Sequence, residues 1–255
     1  MTAKLQSKSV KIRFFGLYVI MSVVILFVLT VFPFTTQKLK HKITQLFARA
    51  MFLCIGAKYE IHGTVDKNMQ NTMVVANHMS WLDTIVLYRL YYLSFIGKVE
   101  MKKWFLLRAV LKSGGTIFID RKKKRDLLKV NDELVERLKK GDCIGVFPEG
   151  TTSNGVRILP FKSPVLDAAR KAQSQIVPVV ICYTASNNKL AREATLSGVP
   201  GATAITKTLS LKNFIIKVYI LDKVDTNSFN DRNELASYLY EKMNTVYMNN
   251  FNEIS

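Results

Sequence analysis

Acidic residues are scarce in this 255-residue chain: 19 Asp and Glu stand against 37 Lys and Arg, a formal charge of +18. That imbalance predicts attraction to polyanions, whether nucleic acid, an anionic membrane face or phosphorylated substrates, and charge alone does not choose among them. Cysteine is nearly absent as well. Cys54, Cys143 and Cys182 are widely separated and odd in number, with no C-x-x-C pair and no nearby pair of histidines, which argues against a disulfide framework and a zinc site and for a reduced compartment. Glycine and proline, 12 and 6 residues, are too few for a linker-rich or disordered chain. There is no repeat period, and neither a G-x-S-x-G elbow nor a Walker loop, which weakens serine-hydrolase and nucleotide-hydrolase readings. No nucleic-acid-binding module accompanies the charge, so no nucleic-acid partner is expected. The length suits one large domain with an appendage.

What is present begins with that appendage. Residues 1–13 are polar and basic, with Lys4, Lys8, Lys11 and Arg13, and an uncharged run follows from Phe14 to Phe34. As a helix it would extend roughly 31 Å, enough to cross a bilayer. Its length and the lack of a small-residue cleavage site argue against a signal peptide. Pro33 and the Thr35-Thr36 pair break the helix and can cap the next one. Leu39, Ile43, Leu46, Phe47, Ala50 and Cys54 then recur at three- and four-residue steps, with Lys38, Lys40, Lys42 and Arg49 off the stripe. The pattern fits a helix lying in anionic headgroups and equally a helix packed on a soluble domain. Four basic residues precede the apolar run and four follow it, so the positive-inside rule gives no orientation. The resolution adopted is a re-entrant pair, residues 1–56, that turns back at Pro33 with both flanks on the cytoplasmic side.

From residue 57 onward the pattern becomes globular. Strands are expected at 59–62, 73–76, 95–98, 116–119, 143–147, 176–183 and 214–221, and helices at 84–93, 101–111, 126–140, 162–172 and 231–248. Residues 186–204 carry no assignable pattern. Alternating strands and helices predict an α/β fold, a largely parallel central sheet flanked by helices, with the amino-terminal helix pair as a membrane anchor.

Chemistry gathers at the carboxyl ends of three expected strands: Asn77-His78, Asp120-Arg121 and Glu149-Gly150-Thr151, which in such a sheet face one crevice. His78 and Asp83 lie five apart across a strand-to-helix turn, so the aspartate can hold one ring nitrogen's proton and leave the other as a general base. Ser80 and Asp83 also make an acidic capping box, under which His78 is an ordinary turn residue, and spacing alone leaves both readings open. Arg121 offers a planar fork suited to phosphate, Gly150 a close backbone approach, and Thr151 a hydroxyl. Each has a plain alternative: Arg121 opens the basic run 121–125, and Glu149 can be a loop charge.

Taken together, Asn77-His78-Met79-Ser80-Trp81-Leu82-Asp83, Gly115-Thr116-Ile117-Phe118-Ile119-Asp120-Arg121, Phe147-Pro148-Glu149-Gly150-Thr151-Thr152-Ser153 and Val177-Pro178-Val179 resemble the four ordered blocks of the glycerolipid acyltransferases, the 1-acylglycerol-3-phosphate acyltransferase family. The resemblance spans residues 77–179. It implies that His78 is the base and Asp83 its orienting partner, and that Arg121, Glu149 and Gly150 help bind the phosphate end of the acceptor, with the Thr151 hydroxyl a further substrate-binding candidate. It further implies transfer of a fatty acyl group from acyl-CoA or acyl carrier protein to the free hydroxyl of 1-acyl-sn-glycerol-3-phosphate, giving phosphatidic acid, with no cofactor beyond that co-substrate and no metal. The expected partners are lysolipid, acyl thioester and an anionic membrane surface, at the cytoplasmic face of the inner membrane. Lyso-ornithine lipid or another lysophospholipid stands as the alternative acceptor, and a non-catalytic lipid-binding protein as the alternative class.

Overall fold

Residues 2–55 form an antiparallel helix hairpin, α1 (Thr2–Thr30) and α2 (Gln37–Ile55), joined through a 3-10 turn over Phe32–Phe34 that contains Pro33. The computed structural model describes residues 2–103, 105–120, 124–185, 189–195, 198, 201–211 and 213–250. The basic leader and the apolar run, distinct in sequence, are one continuous helix. Thr36 caps α2, its side chain accepting from the Leu39 amide, and Gly56 ends it in the left-handed region at φ 71°, where a residue without Cβ is unstrained. The Phe27 and Phe47 rings meet at 5.7 Å, and a Cβ on Gly16 would lie 2.7 Å from Cys54 Sγ. The two helices are therefore aligned along their length. α1 buries Leu17 and Val28 while leaving Phe15, Tyr18 and Leu26 largely exposed, and Phe34 at the tip is 88% exposed.

The hairpin rests on an eight-stranded sheet with its helices. The strands are β1 (Lys58–His62), β2 (Thr72–Ala76), β3 (Ser94–Lys98), β4 (Ile117–Ile119), β5 (Cys143–Val146), β6 (Gln175–Thr184), β7 (Ile215–Ile220) and β8 (Val224–Asp225). Their order is β1-β7-β6-β2-β5-β3-β4, with β8 beside β6. Five of them, β6, β2, β5, β3 and β4, run parallel; β7 and β8 are antiparallel to β6, and β1 is parallel to β7. The continuous apolar run of β2 reflects burial on both faces, as expected where helices cover a parallel sheet on both sides.

The helices are α3 (Asp83–Leu90), α4 (Phe105–Ser113), α5 (Lys124–Lys139), α6 (Ser163–Lys171), α7 (Gly201–Ser210) and α8 (Arg232–Asn250). α3 stops three residues short of its expected end because Tyr91 leaves the helix in an extended conformation toward β3. The helix expected at 101–111 begins later, after a 3-10 turn over Val99–Lys103. α7 has no counterpart in the sequence reading: GATAITKTLS is rich in residues of modest helix propensity, and its buried Ala204, Thr208 and Leu209 are stabilised by packing against α1. Arg13 of α1 donates to the carbonyls of Leu209 and Leu211 at 2.9 and 2.5 Å, satisfying orphan acceptors at that helix's carboxyl end.

Candidate active site

Parallel pairing decides which turns meet. Val75 of β2 lies opposite Val146 of β5, so the chain three residues further on brings His78 beside Glu149. At the other edge of β2, Asn77 continues the ladder with its side chain: Nδ2 donates to the Ile181 carbonyl at 2.9 Å, and Oδ1 accepts from the Ile181 amide at 2.7 Å. The amide thus replaces a backbone pair where β2 turns away from β6.

His78 Nδ1 lies 2.7 Å from Asp83 Oδ2. The same oxygen accepts from the amides of Met79 at 2.7 Å and Ser80 at 2.8 Å, so Asp83, the first residue of α3, ties down the turn ahead of the helix and orients the imidazole at once. The bond from the Ser80 amide that a capping box predicts and the contact to His78 thus fall on one carboxylate oxygen. Asp83 is fully buried, while the His78 side chain keeps 24% of its surface exposed. With Nδ1 engaged by a carboxylate, Nε2 is the nitrogen left for a substrate hydroxyl. The ring plane is held from one side by Phe147, stacked at 4.3 Å and 18°, which in turn stacks on Phe95 at 5.9 Å. Phe95 fits because β5 carries glycine beneath it: a Cβ on Gly145 would sit 2.4 Å from the Phe95 ring.

Glu149 is 2% exposed. Its Oε1 accepts from the His78 amide at 2.6 Å and its Oε2 from the Leu159 amide at 3.0 Å, so both oxygens are taken up in tying two loops to the histidine's backbone. The structure gives Glu149 the work of holding the turn; the contact with the acceptor that the resemblance implies for it is a separate role. Burial raises its pKa to about 7 against the opposing pull of those two amides.

Gly150 adopts φ 71°, and the Lys162 side chain lies where its Cβ would be, Nζ at 2.9 Å. The glycine thus admits a lysine ammonium to the turn, a cation that the sequence reading passed over. Thr151 is exposed on the same loop, and the Ser153 amide closes the loop onto the His78 carbonyl at 2.8 Å. Arg121 lies outside the described residues; the strand before it, β4, ends on the same side of the sheet but two strands beyond β5, about 10 Å away at normal strand spacing. Among the described residues no three His, Cys, Asp or Glu side chains converge as a metal would need.

One partner of the dyad had no signal of its own in sequence. Tyr183 on β6 donates from its hydroxyl to Asp83 Oδ1 at 2.6 Å, and burial holds that phenol well above its ordinary pKa, so it stays a donor. A tyrosine inside an apolar strand signals that its hydroxyl needs a partner, but strand pairing alone shows which.

The acyltransferase family model matches residues 58–182. The chain is 30% identical to a 1-acyl-sn-glycerol-3-phosphate acyltransferase of Neisseria gonorrhoeae over 73% of each chain. It is 31% identical to a lyso-ornithine lipid O-acyltransferase of Rhodobacter capsulatus, covering 76% of this chain and 72% of that one. The solved 1-acyl-sn-glycerophosphate acyltransferase of Thermotoga maritima superposes with a TM-score of 0.78 over all of both chains at 22% identity, a likeness of fold.

Proposed function

The chain belongs to the glycerolipid acyltransferase family, and from that premise we propose that it moves a fatty acyl group from acyl-CoA or acyl carrier protein to the free hydroxyl of 1-acyl-sn-glycerol-3-phosphate, giving phosphatidic acid. The observation that carries the reading is the His78–Asp83 pair, 2.7 Å apart at the carboxyl end of β2 with one imidazole nitrogen left over. Nε2 takes the acceptor's hydroxyl proton as its oxygen attacks the thioester carbonyl. The tetrahedral intermediate then collapses, the C–S bond breaks, and the imidazolium returns the proton to the departing thiolate. No covalent acyl-enzyme is required, and the reading calls on no cofactor.

The acceptor's phosphate favours a cationic rim. Lys162 at Gly150 and, from the sequence, Arg121 are its proposed partners, with Thr151 offering a hydroxyl. The lyso-ornithine relatives keep a second acceptor in view, because that lipid also presents an anion beside an acylatable hydroxyl. The exposed apolar face of α1 supports seating of the hairpin in a membrane. The donors are cytosolic, which puts the site on the cytoplasmic face.

An assay of the full chain in mixed micelles against lysophosphatidate, lyso-ornithine lipid and other lysophospholipids tests the proposal. Lysophosphatidate should give the highest kcat/KM, and His78→Ala should lose about 10²–10⁴-fold while retaining its melting transition. A preference for lyso-ornithine lipid would reassign the acceptor; near-normal turnover by folded His78→Ala would remove the mechanism.

A further inference from the structure

β6 outlasts its neighbour. Its register with β2 ends at Val179 opposite Ala76, yet the strand runs on to Thr184, held there by β7, with Tyr183 opposite Ile216. The overhang carries the fully buried Tyr183 beneath the turn that holds the base, where its hydroxyl meets Asp83 Oδ1. In the same turn the Ser80 oxygen accepts from the Leu82 amide. One carboxylate is therefore shared between a phenol on one oxygen and the imidazole on the other.

We propose that Tyr183 is a positioning residue for acyl transfer, its bond to Oδ1 fixing the Asp83 carboxylate and limiting how strongly Oδ2 draws on His78. The proposal rests on His78 being the general base. The two oxygens share one negative charge, so an O–H donor on Oδ1 withdraws density from Oδ2 and reduces the stabilisation of the imidazolium. Without that donor the aspartate becomes a stronger partner for the charged ring, and it is also freer to rotate. Nε2 should then be more basic but less well aimed. A tyrosine that merely packs would alter stability and leave the base's titration where it was.

The experiment follows kcat/KM against pH for the full chain in mixed micelles with acyl-CoA and lysophosphatidate. In Tyr183→Phe the acid limb should move up by about 0.5–1 pH unit, with kcat falling about 3–30-fold and both KM values within about twofold. With 3-fluorotyrosine at position 183, which keeps the hydroxyl and makes it a stronger donor, the limb should move down. In an Asp83→Asn background, Tyr183→Phe should cost nothing further, because its effect runs through that carboxylate. The other titratable groups facing the assembly are Glu149, at the His78 amide, and Tyr59 of β1, facing the phenol; both are unchanged across the comparison. A limb that stays fixed in both variants, or an undiminished loss in the Asp83→Asn background, overturns the proposal. Should Tyr183→Phe fail to fold, the fluorotyrosine protein decides alone. Retained turnover in His78→Ala would instead strike the base assignment, a separate outcome.

Discussion

Asp83 accepts four hydrogen bonds, from His78, Met79, Ser80 and Tyr183, so the turn between β2 and α3 is organised around one side chain. Glu149 is its counterpart across the β2–β5 seam, and its titration is open to measurement. With its folded pKa raised from the ordinary 4.5 to about 7, the native state binds the extra proton between those limits. Stability should therefore fall as pH rises from about 4.5 to 7 and level off above, by up to about 3 kcal/mol. Urea midpoints for wild type and Glu149→Gln across pH 4–8 should differ by a slope confined to that window; parallel curves would mean that Glu149 titrates at its ordinary pKa. His78 and Asp83 were legible in sequence because the turn is local, five residues long. The role of Glu149 was not, since its two amide partners lie 71 and 10 residues away.

At the scale of elements, β5 owes its fit to a missing side chain. Gly145→Ala would drive a methyl against Phe95, and because Phe95 stacks on Phe147 and Phe147 on His78, the displacement should reach the proposed base. The expected cost is about 1–3 kcal/mol of stability with a lower kcat at unchanged KM, and Phe95→Leu in the same chain should recover part of the stability. Guanidinium titrations with paired turnover measurements check both. Strands β2, β5 and β6 were readable as apolar runs with turn residues after them. α7 was not, because its formation depends on α1 packing across it and on Arg13 satisfying its last carbonyls, contacts about 196 residues apart in the chain.

For the molecule as a whole, the hairpin constrains topology. Arg13 is bonded to α7 and Gly16 lies against Cys54 near the end of α2, so α1 starts on the same side as the catalytic sheet. A helix that crossed the bilayer from residue 9 to residue 30 would leave the return helix α2 in lipid as well, although α2 also packs on α3 and carries Lys38, Lys42 and Arg49 exposed. Cysteines at Ser7 and Ser228, in a chain with Cys54, Cys143 and Cys182 replaced, should both resist an impermeant thiol reagent in intact cells and react after permeabilisation. Labelling of position 7 alone from outside would mean a spanning α1.

The sequence by itself determined the α/β class, the helix pair ahead of it and the order of the motif blocks, and it put His78 and Asp83 within reach of each other, because each is a matter of local periodicity or a spacing of a few residues. Only the tertiary structure decided that Glu149 holds the histidine's backbone, that Lys162 fills the space over Gly150, that α7 exists, and that Tyr183 completes the carboxylate's bonding. These depend on which parallel strands are neighbours and how far each outlasts the next, and strand order is set by burial summed over the whole sheet, which no short window of residues contains.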